Sequence, residues 1–219
     1  MLAKICGLSH RDEVEVAVSC GAAFCGFILN WPKSHRHIDI SKITEFGKVA
    51  KKKSKFVGVL VNPTDEEVER FNHPYLDYFQ LHGEETVDRI KEIKLLSPKK
   101  IIKTIKIDSE KDLSSYNDYE KIVDIFLFDS KGYELSRSFD HSLLKNIDKR
   151  SNKWMIAGGI KLENLENIPE ISFRSNCLLS KHTGLMYCSN HQFLQLLLQK
   201  INYHYLSLSS SIMSFVHPQ

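Results

Sequence analysis

The chain has 219 residues, 42% hydrophobic and 26% charged, with a mean hydropathy of −0.27 and a formal net charge of +3. Such a chain is ordinary for a globular protein and long enough to bury roughly 70% of its unfolded surface without staples. The small charge, with no basic block, argues against a nucleic-acid or membrane-surface partner, and no run of about 18 apolar residues is present to span a bilayer. Cys6, Cys20, Cys25, Cys177 and Cys188 form neither a Cys-x-x-Cys pair nor an even disulfide framework, which suits a reducing cytoplasm. The apolar stretch before Lys4 is too short for a signal peptide.

Short apolar runs at residues 3–5, 24–28, 56–61, 78–81, 101–105, 125–128 and 154–157 are rich in Ile, Val and Phe. Their near-continuous apolar character predicts parallel strands buried on both faces. Between them lie segments with helical spacing, such as Val87, Ile90, Ile93 and Leu95. Capping-box patterns open two of these segments, at Ser9-His10-Arg11-Asp12 and Thr64-Asp65-Glu66-Glu67. The cationic cluster Lys51, Lys52, Lys53 and Lys55 reads as the close of a helix, where positive charge suits the dipole.

Seven strand–helix units in series predict a (β/α)8 barrel, because right-handed crossovers put every helix outside the sheet. The competitor, an open doubly wound sheet, expects a Gly-rich turn after its first strand, and Gly7 alone matches that poorly.

The composition changes near residue 170. All 27 acidic residues lie at or before Glu170, together with 27 of the 30 basic ones, so Arg174, Lys181 and Lys200 carry the whole net charge. Residues 178–180 and an amphipathic helix over 190–204, with Asn190 as its cap, are expected to supply an atypical eighth unit. The expected organisation is therefore one barrel domain over 1–206 and a frayed tail over 207–219.

In such a barrel the chemistry sits where strands end. Those positions here are Cys6-Gly7, residues 30–36, Asn62-Pro63, His82-Gly83, Lys106, Asp129-Ser130 and Gly158-Gly159. Each has a plain structural reading as well. Cys6 serves as a small core residue, Asp129 as a loop tie, His82 as a satisfied buried imidazole and Arg36 as a surface cation. His35 and His37 lack a third ligand, so no metal is expected.

The joint pattern is more specific than any member. Lys4-Ile5-Cys6-Gly7 is followed by Gly26-Phe27, Pro32-Lys33-Ser34-His35-Arg36, Val57-Gly58-Val59, Val61-Asn62 and Gln80-Leu81-His82-Gly83-Glu84-Glu85. Phe128-Asp129-Ser130, Phe139-Asp140-His141-Ser142-Leu143-Leu144 and Ala157-Gly158-Gly159-Ile160 with Glu163-Asn164 complete it. Over residues 3–168 the sequence resembles the phosphoribosylanthranilate isomerases of tryptophan biosynthesis. The resemblance implies an Amadori rearrangement of N-(5-phosphoribosyl)anthranilate, a phosphosugar substrate, with no cofactor, in a cytoplasmic monomer or homodimer. It also implies that Asp129 is the general acid that opens the ring and Cys6 the base that takes the C2 proton. Asp129 must then be raised from about 3.9 and Cys6 lowered from about 8.5. Arg36 resembles the clamp on the anthranilate carboxylate, with Gln80 and His82 lining the pocket. Gly158 and Gly159 resemble one half of a phosphate site.

Two stretches depart from the family. Residues 131–138 read Lys-Gly-Tyr-Glu-Leu-Ser-Arg-Ser in place of a Gly-Gly-Thr-Gly loop. The Asp-x-Ser-Ser-Gly segment expected after the eighth strand is echoed by Ser180 and Gly184 alone, so those two stand for the second half of the phosphate site. Three readings follow: an active isomerase, a noncatalytic remnant with a poorly closed sheet and a damaged phosphate site, and a different phosphosugar barrel enzyme.

Overall fold

The computed structural model describes residues 2–48, 51, 53–131, 140–146, 153–159 and 178–182. Among these residues eight parallel strands close into a barrel in chain order. They are β1 (Leu2–Cys6), β2 (Phe24–Ile28), β3 (Lys55–Leu60), β4 (Tyr78–Leu81), β5 (Lys100–Ile107), β6 (Ile125–Ser130), β7 (Lys153–Ile156) and β8 (Leu178–His182). The doubly wound alternative is thereby excluded. Ring closure runs from Leu2↔Leu178 to Cys6↔His182 between β1 and β8, and through Met155↔Leu178 and Ile156↔Leu179 between β7 and β8. The strand over 178–180 therefore forms and extends by two residues, and the sheet has no open edge there. The expected helix over 190–204, the tail 207–219, the loop 132–138 and Gly184 lie outside the described residues.

Side-chain alternation sorts the barrel into two apolar bodies. Ala3, Ile5, Cys25, Phe27, Phe56, Phe79, Ile101, Phe126, Phe128 and Trp154 face outward into the layer shared with the helices. Phe24, Val57, Ile102, Ile125, Leu127, Met155 and Ala157 fill the interior as a separate cluster. That inner body is the floor on which the mouth of the barrel is built.

The helices are α1 (Arg11–Ser19), α2 (Ser41–Gly47), α3 (Asp65–Arg70) and α4 (Val87–Leu96). The cap of α3 is the box read from sequence: the Glu67 amide donates to Thr64 Oγ1 at 3.2 Å, and the Thr64 amide donates to the Glu67 carboxylate at 3.0 Å. At α1 the register is one residue later than expected. His10 is the N-cap and Glu13, not Asp12, accepts from the amides of Ser9 and His10. On α4, Ile90 and Ile93 are buried but Leu95 is 88% exposed. It lies two residues beyond Ile93, about 200° around the helix, and Leu96 takes the inward place.

The lysine cluster does not close a helix. α2 ends at Gly47, and Lys51 bonds Asp77 at 2.7 Å while Lys55 reaches the same carboxylate at 3.3 Å. The Phe56 amide donates to Asp77 as well. These cations fasten β3 to β4 at the end of the barrel away from the mouth, where a tie affects stability rather than chemistry. After β5 the connection is a 3₁₀ segment, Glu110–Tyr119, in which Ser114, Asn117 and Asp118 disfavour a regular helix because such side chains compete for the backbone.

Candidate active site

Strands β1, β4, β5 and β6 deliver their inward side chains to the mouth by the same two-residue alternation. On β1 the outward residues are Ala3 and Ile5, so Lys4 and Cys6 point inward, and Cys6 packs with Ile28, Val59 and Trp31 at the top of the interior. Cys6 is fully buried. On β6, Ile125 and Leu127 belong to the floor, so Asp129 stands above them at 6% exposure. Its Oδ1 accepts the Ser130 amide at 2.9 Å. Two strands, β8 and β7, separate β1 from β6 around the shorter side of the ring, so the sulfur and the carboxyl face each other across the opening. The structure thus brings Cys6 and Asp129 to one mouth.

Arg36 enters from the loop after β2. Its amide donates to Ser34 Oγ at 3.2 Å, and its side chain lies against Gly7, where a Cβ would come within 2.7 Å of the Arg36 Cδ. The guanidinium therefore overhangs the end of β1, beside Cys6. His37, by contrast, turns its Nε2 to the Leu29 carbonyl at 3.1 Å, and His35 is exposed. Among the described residues no group of His, Cys, Asp and Glu has the arrangement of a metal site.

Gln80 and His82 form a small network with Thr104, a member that the sequence reading missed. The Gln80 amide nitrogen lies 3.1 Å from His82 Nδ1 and 3.4 Å from Thr104 Oγ1, and Thr104 Oγ1 lies 3.2 Å from the same Nδ1. With the amide as donor, Nδ1 accepts and the neutral ring carries its proton on Nε2. Gln80 is fully buried, and its Oε1 has no hydrogen-bond partner among the described residues. A buried acceptor left this way costs free energy until a donor arrives, as expected of a ligand-facing group.

A cavity of about 480 Å³ opens above β4 and β5, bounded by Glu84, Thr104, Lys106, Asp112 and Lys131. Lys106 bonds Glu84 at 3.0 Å and is the ladder neighbour of Asp129. Lys131, the first residue after β6, bonds Asp112 at 3.0 Å. Burial pushes the Asp112 carboxyl up, but Lys131 and the amides of Ser109 and Asp108 outweigh it and hold the group down, from 3.8 to about 2. A depressed carboxylate contributes stability that is fully present above its ordinary value and is lost as pH falls toward the folded value. Asp112→Asn is therefore expected to destabilise at neutral pH, with the difference from wild type shrinking between about pH 4 and about pH 2. Urea unfolding across that range checks this, and a difference that does not change with pH would contradict it.

Gly158 and Gly159 follow β7 with φ of +85° and +64°, a left-handed pair that side chains rarely adopt. Consecutive amides in such a turn form a concave cradle for an anion. Ser180 stands inside β8, the ladder partner of Lys4, while His182 ends that strand beside Cys6.

A family model described as N-(5'-phosphoribosyl)anthranilate (PRA) isomerase matches residues 3–179. The isomerase of Petrotoga mobilis is 35% identical over 166 residues, covering 74% of this chain and 77% of its own. That of Bradyrhizobium diazoefficiens is 31% identical over 173 residues, covering 75% and 77%. Among solved structures, the Thermotoga maritima enzyme superposes with a TM-score of 0.77 at 25% identity, covering 90% of this chain and 96% of that one. The Thermus thermophilus enzyme gives 0.77 at 23% identity, covering 93% and 99%. The family match ends at residue 179, where the acid-free stretch has begun, but the barrel continues through β8. By sequence and by fold the chain belongs to the N-(5'-phosphoribosyl)anthranilate isomerase family.

Proposed function

We propose that this protein isomerises N-(5-phosphoribosyl)anthranilate to the 1-deoxyribulose 5-phosphate product, with Asp129 as general acid and Cys6 as general base. The observation that carries the reading is the pairing of a buried thiol on β1 with a nearly buried carboxyl on β6, both inward and at one mouth. Asp129 protonates the furanose ring oxygen as the C1–O bond breaks and the anthranilate nitrogen forms the imine. Cys6 then takes the C2 proton, giving an enolamine that becomes the ketone. Acid and base on opposite walls suit the two ends of this proton traffic.

Arg36 meets the anthranilate carboxylate, for which a guanidinium offers two parallel donors. The Oε1 of Gln80 and the Nε2 of His82 supply an acceptor and a donor between the two catalytic groups. The amides of Gly158 and Gly159 hold the phosphate on one side, with Ser180 and Gly184 assigned to the other. A solved relative carries reduced 1-(o-carboxyphenylamino)-1-deoxyribulose 5-phosphate, a ligand of this chemical class. No metal or organic cofactor takes part in these steps.

The test is growth of a tryptophan auxotroph that lacks its own isomerase. This chain is expected to restore growth without tryptophan. Failure from soluble, folded protein would go against the assignment. At the phosphate cradle, Gly158→Ala places a Cβ at a left-handed φ and 2.9 Å from Ser130 Oγ. The strain, about 1–3 kcal/mol, is expected to raise KM several-fold with a smaller effect on kcat, measured by steady-state kinetics. An unchanged KM would remove Gly158 from the phosphate site.

A further inference from the structure

We propose that Lys4 is the positioning residue that keeps Cys6 a thiolate, its enclosed ammonium serving as the counter-charge of the base. The inference rests on the reading of Cys6 given above.

Lys4 is 0% exposed and is among the largest fully buried side chains of the protein. Lysines are almost never fully buried without a polar or charged counterpart. Lys4 and Cys6 share the inward face of β1, and both reach the same point of β2. A Cβ on Gly26 would lie 2.8 Å from Cys6 Sγ and 3.0 Å from Lys4 Nζ. The ammonium and the sulfur are therefore no further apart than those two distances together. The absence of a side chain at Gly26 lets them approach, and any L-residue there would push one of them away.

Burial alone would make this thiol inert. Cys25, on the neighbouring strand but facing the outer layer, shows the effect: burial pushes its thiol up to about 12, with Lys4 and then Lys51 pulling the other way. Cys6 is equally enclosed. A cation close to a thiol reverses the balance, since it favours the charged form by one to several pH units. Other charged or titratable groups reach the mouth from the elements around Cys6: Arg36 over Gly7, Asp129 from β6, His82 beyond β4 and Lys106 from β5; β8 places the backbone of His182 at the adjoining ladder position. Asp129 as a general acid is neutral before it acts, so it does not oppose the thiolate at that stage.

Lys4 does not replace Cys6 as the base. Its Cα lies two residues earlier on the strand, about 6–7 Å deeper in the barrel, and an ammonium has no lone pair with which to take the C2 proton. During the reaction the C2 proton moves to the sulfur and back to carbon, and Lys4 remains an ammonium throughout.

Three measurements test the inference on the full chain. Thiolate absorbance, compared between wild type and Cys6→Ala, gives the titration of Cys6 without any variant at Lys4. A midpoint well below the ordinary value of about 8.5 is expected, and a midpoint at or above it overturns the proposal. Iodoacetamide alkylation against pH, resolved by peptide mass spectrometry, then compares Lys4→Met and Lys4→Arg. Lys4→Met is expected to move the Cys6 midpoint and the acidic limb of kcat/KM up by about one pH unit or more, and Lys4→Arg to restore both. Unmoved midpoints in a folded Lys4→Met protein overturn it. Retained turnover in Cys6→Ala would instead remove Cys6 as the base, a separate failure that the thiol titration does not depend on.

Discussion

Asp129→Asn and Cys6→Ala are each expected to lower kcat by about a hundred- to ten-thousand-fold while leaving KM within a few-fold of wild type. That range is the contribution of one positioned acid or base to a proton-transfer step. Asp129 is an inward carboxyl whose Oδ1 accepts the amide of its own neighbour, and Asn keeps its size and that acceptor. Cys6 sits at the end of β1, with Ile28, Val59 and Trp31 around it, so loss of the sulfur leaves a small void at the mouth rather than in the floor. Steady-state assays with binding of a reduced product analogue separate the two effects. Turnover within tenfold of wild type in either variant would remove that residue from its role.

The largest expected loss of stability comes from Glu85, which the sequence offers only as the second acid of Gly83-Glu84-Glu85. Its carboxylate is 0% exposed and accepts from Lys103 Nζ at 2.7 Å, the Asn62 amide at 2.8 Å and the Gly83 amide at 3.0 Å. The Lys103 ammonium, 4% exposed, also donates to the Gly83 carbonyl at 2.8 Å. One carboxylate thus binds the loops after β3 and β4 to an outward lysine of β5. Removing one partner of such a pair leaves a buried charge uncompensated, at about 3–5 kcal/mol. Glu85→Ala is expected to lose an amount in that range by urea unfolding, and Glu85→Ala with Lys103→Met to recover part of it. A loss under about 1 kcal/mol would mean that water or a neighbour takes over the carboxylate's bonds.

The strands were legible because parallel strands buried on both faces leave near-continuous apolar runs, and seven such runs at regular intervals fit a closed ring. The strand-end positions followed, which put Cys6, Asp129 and Arg36 at the mouth. Lys4 was within reach of the same logic, since a lysine two residues before Cys6 must share its face, but its enclosure depends on Gly26 across the ladder. Thr104 and Lys106 alternate on β5 in the same way, yet nothing local says that Thr104 meets His82. The cap of α1 slipped by one residue because Glu13 and Asp12 compete for the same amides. The Lys51–Asp77 tie joins residues 26 apart in the chain, which no helix-end rule anticipates. β8 is the least legible strand: its residues lie at the end of the family match, and only the ladder to β1 reveals its length.

An intact phosphate cradle near Ser180 and Gly184 is what separates a working isomerase from a noncatalytic remnant of the family. The most direct measurement is turnover of freshly prepared phosphoribosylanthranilate by the purified protein, followed as loss of anthranilate fluorescence. Saturable turnover, abolished in both Cys6→Ala and Asp129→Asn, is the expected result. A folded wild-type protein that leaves the fluorescence unchanged would contradict the account.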